Sequence, residues 1–240
     1  TIQLDNWTDT WSRRRDEQHQ TLKMEIFLDE AAISNLEKRE RAALINSITG
    51  FKSINLIGTC NPNGDTNLAI FNSVIHLGAN PALMGFIIRP DSVERHTLSN
   101  IEETGFFTIN HVNAENYQQA HQTSARYPSE ISEFEACQFN TAYKNDFIAP
   151  YVKGCSISIG LSFQERIDIK LNGTILVIGK IEQLYFPSDA WCDDGYVDIE
   201  KAGTIACSGL DSYHLTKRLS RMSYAKVDKN PQETVLKYKD

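Results

Sequence analysis

The sequence predicts a mostly β protein, an antiparallel meander or barrel with flanking α-helices. Apolar, β-branched stretches recur with short polar turns between them, and Pro90, which cannot donate to a sheet, closes one of them. Later stretches alternate, as in Ile157, Ile159 and Leu161, which is typical of a strand with one buried face. Because strands joined by short turns leave exposed edges, closure into a barrel is the favourable arrangement.

Each predicted helix, turn and strand rests on a short segment of the sequence. A helix is predicted from about Glu30 to Ile48, with an apolar stripe along it and Gly50 placed to end it. The Asn63-Gly64 pair favours a tight hairpin between the first two strands. Residues 114–146 are predicted to be polar and helical. The predicted strands cover residues 53–60, 66–77, 82–89, 106–112, 155–170 and 173–186.

Composition narrows the class of protein. The chain has 240 residues, is 41% hydrophobic and 23% charged, and carries a net charge of -7. This length fits one large domain or one and a half with a buried core. An acidic balance argues against general nucleic-acid binding. We find neither an apolar run of about 18 residues nor a secretory signal, so we expect no membrane partner and a cytoplasmic location.

Several kinds of site lack their motifs. The five cysteines are scattered and never spaced as C-x-x-C, which indicates reduced, packed thiols rather than a disulfide framework or a zinc site. The six histidines show no metal-binding spacing either. Neither a Rossmann G-x-G-x-x-G nor a G-x-S-x-G nucleophile elbow is present. A metal centre and serine hydrolysis are therefore not expected.

The most informative segment runs from Thr66 to Val112, with two strands, an Arg-Pro break, a short helix and a third strand. The helix opens with Arg95, His96 and Thr97, and Arg89 stands just before it. Helix-end amides, a hydroxyl and arginines together suit a phosphate group. Alternatively, Asp91 or Ser92 only caps a surface helix and the arginines are solvated.

This segment resembles the flavin reductase-like family of FMN-binding split barrels, and the likeness extends from about Met24 to about Lys217. The resemblance implies a six-stranded Greek-key split barrel with flanking helices. It also implies a homodimer with FMN near the interface, so that partner-chain residues complete each site. Residues 1–23 are then a polar, poorly ordered extension, or residues upstream of a true start at Met24, and residues 218–240 are a polar tail.

The resemblance also implies the site residues. The strand NLAIFNSV lies along the flavin ring, and the polar Asn72 and Ser73 would need a partner in so apolar a strand, either a ligand or a cross-strand bond. The element SGLDSYHL places a Tyr-His pair where it faces the flavin, so Tyr213 and His214 are the expected substrate-binding residues. The expected cofactor-binding residues are Asn67, Ala69, Ile70, Phe71, Asn72, Ser73, Arg89, Ser92, Arg95, His96, Thr97 and Asn110. For Asn110 the alternative is structural support near the site.

The implied function is reduction of FMN by NADH or NADPH, with hydride transfer to flavin N5 and no acid or base from the protein. The alternative is an FMN-binding electron carrier or flavin-storage protein without significant NAD(P)H turnover. An open pocket near His214 would favour the reductase, and a ring face covered by residues 114–146 would favour the carrier. A weaker third option is an oxidoreductase that acts on an organic substrate.

Overall fold

The computed structural model describes residues 25–90 and 96–239. The predicted extension of residues 1–23 lies outside these ranges. The chain forms two compact units, a small one up to Ala42 and a large one from Ala43 onward. All strands of the described residues belong to the large unit.

The predicted single helix is interrupted. Helix α1 spans Glu30–Asn35 and α2 spans Lys38–Ile48. Leu36 leaves the helical conformation with ψ of 146°, and the Glu37 carboxylate accepts from the Arg39 N–H at 2.7 Å. The break therefore occurs because the Glu37 side chain caps the start of α2 in the middle of the predicted amphipathic helix. Gly50 follows α2 with φ of 85°, as its position predicts.

Twelve strands follow among the described residues, mostly in one large sheet. They are β1 (Lys52–Ser53), β2 (Asn55–Cys60), β3 (Thr66–Phe71), β4 (Ile75–Ala79), β5 (Ala82–Ile88), β6 (Phe106–His111), β7 (Thr141–Ala142), β8 (Tyr151–Val152), β9 (Ser158–Ile169), β10 (Thr174–Tyr185), β11 (Ala206–Ser208) and β12 (Ser212–His214). The helices between them are α3 (His96–Thr104), α4 (Tyr117–Gln122), α5 (Glu133–Ala136) and a 3-10 turn at Ser188–Ala190.

The main sheet is antiparallel and has seven strands in the order β3-β2-β6-β9-β10-β5-β4. The predicted strand of residues 66–77 is broken into β3 and β4, which is why seven strands replace the expected six. These two strands are the opposite edges of the sheet, yet only residues 72–74 join them. The sheet must therefore curl until its edges meet, which gives the expected split barrel.

The barrel interior is apolar and closely packed. Phe86, Phe107 and Leu161 are fully buried in its largest cluster, and the rings of Phe86 and Phe107 meet edge to face at 5.5 Å. At Gly179 on β10, an added Cβ would collide with the Phe107 ring, so only glycine fits there. This packing fixes the strands that carry one wall of the site described below.

The C-terminal residues return to the body of the protein. Asp198 is buried and accepts hydrogen bonds from the Arg218 guanidinium and from the Tyr238 hydroxyl, the latter at 2.8 Å. The Lys239 ammonium lies 3.1 Å from the centre of the Trp191 ring. Residues 218–239, predicted as a polar tail, are thus tied to residues 189–200.

The described residues were also searched for a membrane-spanning helix and for a metal site. None of their helices combines the length and hydrophobicity needed to cross a lipid bilayer. Nor do they bring three or more His, Cys, Asp or Glu side chains into a group suited to a metal ion. All five cysteines are free thiols, and burial raises the pKa of Cys155 to about 12, which keeps that thiol protonated.

Candidate functional site

A cavity of about 480 Å³ lies beside β3 and the start of α3, within the size range of small-molecule sites. Two parts of the chain line it. From the sheet and α3 come Ile54, Asn67, Ala69, Ile70, Phe71, Asn72, Ser73, Ile87, Ile88, Arg89, His96 and Thr97. From later in the chain come His121, Thr123, Ser124, Ala125, Arg126, Tyr127, Pro128, Ser129, Glu133 and Leu210.

A buried polar network holds α3 against the sheet at the cavity wall. The Asn67 amide donates to the Thr97 hydroxyl oxygen at 3.0 Å, and Asn67 and Thr97 are both buried. The Asn100 amide and the Asn67 amide both donate to the Thr59 hydroxyl oxygen, at 3.1 and 3.3 Å. Because Thr97 accepts from Asn67, its own O–H proton remains for a further acceptor.

The basic side chains of the cavity come from separate elements. Arg89 follows the last residue of β5, and His96 opens the described part of α3. Arg126 lies on the loop after α4. Neither arginine has an ion-pair partner among the described residues, and both are exposed. Ser92 and Arg95, which were predicted to join them, lie outside the described residues.

The wall formed by residues 121–133 contributes residues that sequence reasoning missed as ligand contacts. Residues 123–129 line the cavity without interruption. A segment this polar gives no periodic signal, and it lies about 50 residues from β3 in the sequence. The available signal was the group of His121, Ser124 and Arg126 in a predicted polar helical region. Only the tertiary structure places these residues opposite β3.

Glu133 is the one acidic residue found in the cavity lining of the described chain. Its carboxylate accepts from the Leu68 N–H of β3 at 3.0 Å, and the side chain is buried. Burial raises the pKa of Glu133, and the hydrogen bond from Leu68 offsets part of that increase. The cavity is thus basic on balance in an acidic chain, which suits an anionic ligand.

Comparison with known proteins identifies the family. A model of the flavin reductase like domain matches residues 49–200, which is more than half of the chain. The chain belongs to the flavin reductase-like family. The matched residues contain the whole seven-stranded sheet and all of the cavity lining except Leu210.

Solved structures support this assignment. A proposed flavin reductase with a split barrel domain from Shewanella frigidimarina is 49% identical, with a TM-score of 0.81 over 84% of this chain and 100% of that chain. Nitrilotriacetate monooxygenase component B from Bacillus cereus is 16% identical (TM-score 0.72; 83% and 99% covered). A 2-nitrobenzoate 2-nitroreductase from Pseudomonas fluorescens is 22% identical (TM-score 0.68; 85% and 98% covered). The last two likenesses concern the split-barrel fold alone.

The structure brings together most of the residues that the family resemblance implied. Nine of them line the cavity: Asn67, Ala69, Ile70, Phe71, Asn72, Ser73, Arg89, His96 and Thr97. The polar pair at the corner between β3 and β4 already has protein partners. The Asn72 amide donates to the Gly209 carbonyl at 2.9 Å, and the Ser73 hydroxyl exchanges two 3.1 Å hydrogen bonds with the backbone of Ile87. Their polarity is therefore satisfied by the fold.

Asn110 is placed differently from its predicted cofactor contact. It is fully buried in β6 and is not among the described residues that line the cavity. Its amide donates to the Leu56 carbonyl at 3.2 Å and the Thr108 hydroxyl at 2.9 Å, and its oxygen accepts from Val152 N–H at 3.1 Å. These bonds join three strands, so Asn110 has a structural role.

Tyr213 and His214, which were expected to bind the substrate together, point to opposite faces of β12. His214 is 2.8 Å from the Ser208 hydroxyl and packs edge to face on Phe51 at 4.9 Å, and it does not line the described cavity. Tyr213 faces the other way, and its hydroxyl lies 2.8 Å from Nδ1 of His121. Successive residues of a strand point to opposite faces, so only one of the pair can approach the cavity.

Proposed function

We propose that this protein binds FMN and that NADH or NADPH reduces the bound flavin. The observation that carries the proposal is the basic cavity of a flavin reductase-like protein. Two arginines that have no ion-pair partner among the described residues line it together with two histidines, although the chain has a net charge of -7. A phosphate-bearing planar cofactor matches both the charge of this cavity and its volume of about 480 Å³.

The side chains around the start of α3 suit the phosphate. Arg89 offers a forked pair of donors, and His96 and the Thr97 hydroxyl, which donates to no acceptor among the described residues, offer more. Residues 69–71 of β3 present apolar side chains and strand backbone to the ring. When bound, the flavin supplies the hydride chemistry at N5. The role of this chain is then to orient the cofactor and to keep its face accessible through the exposed loop around Arg126.

An FMN-binding electron carrier is the second candidate, and one observation favours it. The cavity is bordered by residues 123–129, and His214 does not line it. A ring face covered by this loop would exclude a nicotinamide. The loop residues from Ser124 to Arg126 are exposed, however, and no helix or strand of the described chain holds them over the cavity. A loop of this kind is compatible with access to the ring, which supports the reductase as the first choice.

We also propose a homodimer whose interface adjoins the cavity. Phe51, Ile75, Leu77 and Leu210 are large apolar side chains that are exposed, between 39% and 73%. Exposed apolar groups of this kind on an edge strand such as β4 are typical of an interaction surface. Leu210 also lines the cavity, so a partner seated there would border the ligand.

The oligomer is testable by light scattering. Leu77→Lys places a charge on the proposed interface and should convert a dimer into a monomer. Leu171→Lys is the control, because Leu171 is 99% exposed in the turn between β9 and β10. A wild-type monomer would contradict the dimer, and equal behaviour of both variants would contradict the interface on β4.

Spectroscopy tests the main proposal. The purified protein, supplied with FMN and desalted, should retain a flavin absorbance spectrum. NADH or NADPH added without oxygen should then bleach it. Yellow protein that neither nucleotide bleaches would establish the carrier instead. Protein that takes up no FMN would refute both candidates.

A further inference from the structure

A single hydrogen bond links the cavity wall to a strand outside the cavity. His121, in the last turn of α4, lines the cavity, and its Nδ1 lies 2.8 Å from the hydroxyl of Tyr213 on β12. The two rings meet edge to face with centroids 5.8 Å apart. Tyr117, one turn before His121 on α4, also packs on Tyr213, with ring centroids 5.3 Å apart. Tyr213 is therefore held in place, and its hydroxyl is aimed at one specific nitrogen of His121.

The direction of this hydrogen bond can be argued from the partners of Tyr213. Burial raises the pKa of Tyr213 to about 12, so its hydroxyl keeps its proton at neutral pH. Among the described residues, this hydroxyl has no hydrogen-bond partner besides His121. An unprotonated imidazole nitrogen is a stronger acceptor than a phenol oxygen, and a protonated phenol is a good donor, so a bond from the Tyr213 hydroxyl to Nδ1 is the favoured direction. The hydroxyl of Tyr213 is thus the donor and Nδ1 the acceptor.

This direction determines the state of the second ring nitrogen. A neutral imidazole carries one proton, and the hydrogen bond made by one nitrogen sets which nitrogen keeps it. With Nδ1 accepting from Tyr213, the proton of His121 resides on Nε2. The cavity wall formed by residues 121–133 then carries an N–H donor of fixed tautomer.

We propose that His121 donates a hydrogen bond from Nε2 to an oxygen atom of the second ligand, the one that lies over the flavin, and that Tyr213 is the positioning residue that fixes this tautomer. The ligand class is a planar compound with a carbonyl or carboxamide oxygen, such as a nicotinamide or a quinone. This inference rests on the proposed function, because β3 and α3 are assigned there to the flavin. His121 belongs to the other wall of the cavity.

The first experiment needs no flavin. Long-range ¹H–¹⁵N spectra of the histidine rings are recorded at pH 8 on the full chain, and the His121 signals are assigned by their loss in His121→Gln. We expect an unprotonated Nδ1 and a protonated Nε2 in the wild type, and a mixture of tautomers in Tyr213→Phe. A protonated Nδ1 in the wild type, or an unchanged pattern in Tyr213→Phe, would overturn the positioning role.

The second experiment measures ligand binding without turnover. Oxidised FMN-loaded protein is titrated with NAD⁺ and, separately, with menadione, and the flavin spectrum reports the dissociation constant. His121→Phe should raise it about fivefold for at least one probe, the effect of one lost hydrogen bond. His121→Gln, which retains an N–H donor, should lose less. His76→Phe, on β4 and outside the described cavity lining, should change nothing.

The outcomes separate the two proposals. Unchanged constants for both probes in His121→Phe, with FMN still bound, would overturn the donor role alone. Failure of the wild type to take up FMN would overturn the proposed function and, with it, the assignment of the ligand. The tautomer measurement would still decide the role of Tyr213 in that case.

Discussion

Removal of the Arg89 charge is the most direct test of where the phosphate binds. Arg89 lines the cavity at the end of β5, and no acidic residue among the described ones neutralises it. A charge-assisted hydrogen bond contributes about 1.5–3 kcal/mol, and the exposure of Arg89 places it at the lower end. A loss of about 1.5–2 kcal/mol corresponds to a 10- to 30-fold weaker affinity for FMN in Arg89→Met.

The assay uses two ligands and a matched control. Fluorescence titrations measure the affinities for FMN and for riboflavin, which has the same ring but no phosphate. Arg89→Met should weaken FMN binding and leave riboflavin binding unchanged. Arg166→Met removes the same charge from β9, where Arg166 pairs with Glu102 and Asp168 at 3.0 and 2.8 Å, and should affect neither ligand.

Two results would refute this reasoning. An equal loss for FMN and riboflavin would mean that Arg89 contacts the ring or supports the fold. A phosphate-dependent loss in Arg126→Met, with none in Arg89→Met, would place the phosphate at the other wall of the cavity.

Three further predictions concern affinity and stability. Thr97→Val removes the hydroxyl that accepts from the Asn67 amide. It should lower the free energy of unfolding, measured in urea, by about 1–2 kcal/mol and should weaken FMN binding. Thr97→Ser keeps the hydroxyl and should leave both close to their wild-type values. Asp198→Asn breaks the ion pair between the buried Asp198 and Arg218. It should lower the free energy of unfolding, measured in urea at pH 7, by about 3 kcal/mol. Burial alone would raise the pKa of Asp198, but the hydrogen bond from Arg218 and the others it accepts lower it. The stabilisation is therefore present above about pH 4 and is lost as pH falls through the folded-state pKa, so the variant and the wild type should converge in acid. Burial lowers the pKa of His111 from 6.5 to about 4, so the unfolded chain binds the proton first. The free energy of unfolding of the wild type should therefore fall by about 3 kcal/mol between pH 6.5 and pH 4. Urea denaturation of His111→Gln at the same pH values should not show this fall.

The strands and the side chains proposed to bind phosphate could be picked out from the sequence because their signals are local. β-branched stretches, turn residues and the Arg-Pro break each act within a few residues, and they predict β2, β3, β5, β6, β9 and β10. The spacing of Arg89, His96 and Thr97 likewise depends on one strand end and one helix start. A family resemblance over the same residues added the cofactor.

The break between β3 and β4 was not predictable from the same signals. Asn72 and Ser73 look like polar residues in a continuous strand, and the sequence suggested either a ligand or cross-strand bonds as their partners. Asn72 bonds to Gly209, 137 residues away in the chain, and Ser73 bonds to the backbone of Ile87, 14 residues away on β5. The corner exists because the curled sheet brings these groups together, and no local pattern encodes that closure.

The sequence by itself thus determined the fold class, the family and one wall of the cavity, since strand periodicity and helix-start chemistry are properties of short segments. Only the tertiary structure decided what faces that wall. The loop carrying Arg126, the buried Glu133 and the His121–Tyr213 pair come from segments between about 50 and 150 residues beyond β3. The pleat of β12, which points Tyr213 and His214 to opposite faces, decided which of the two approaches the cavity.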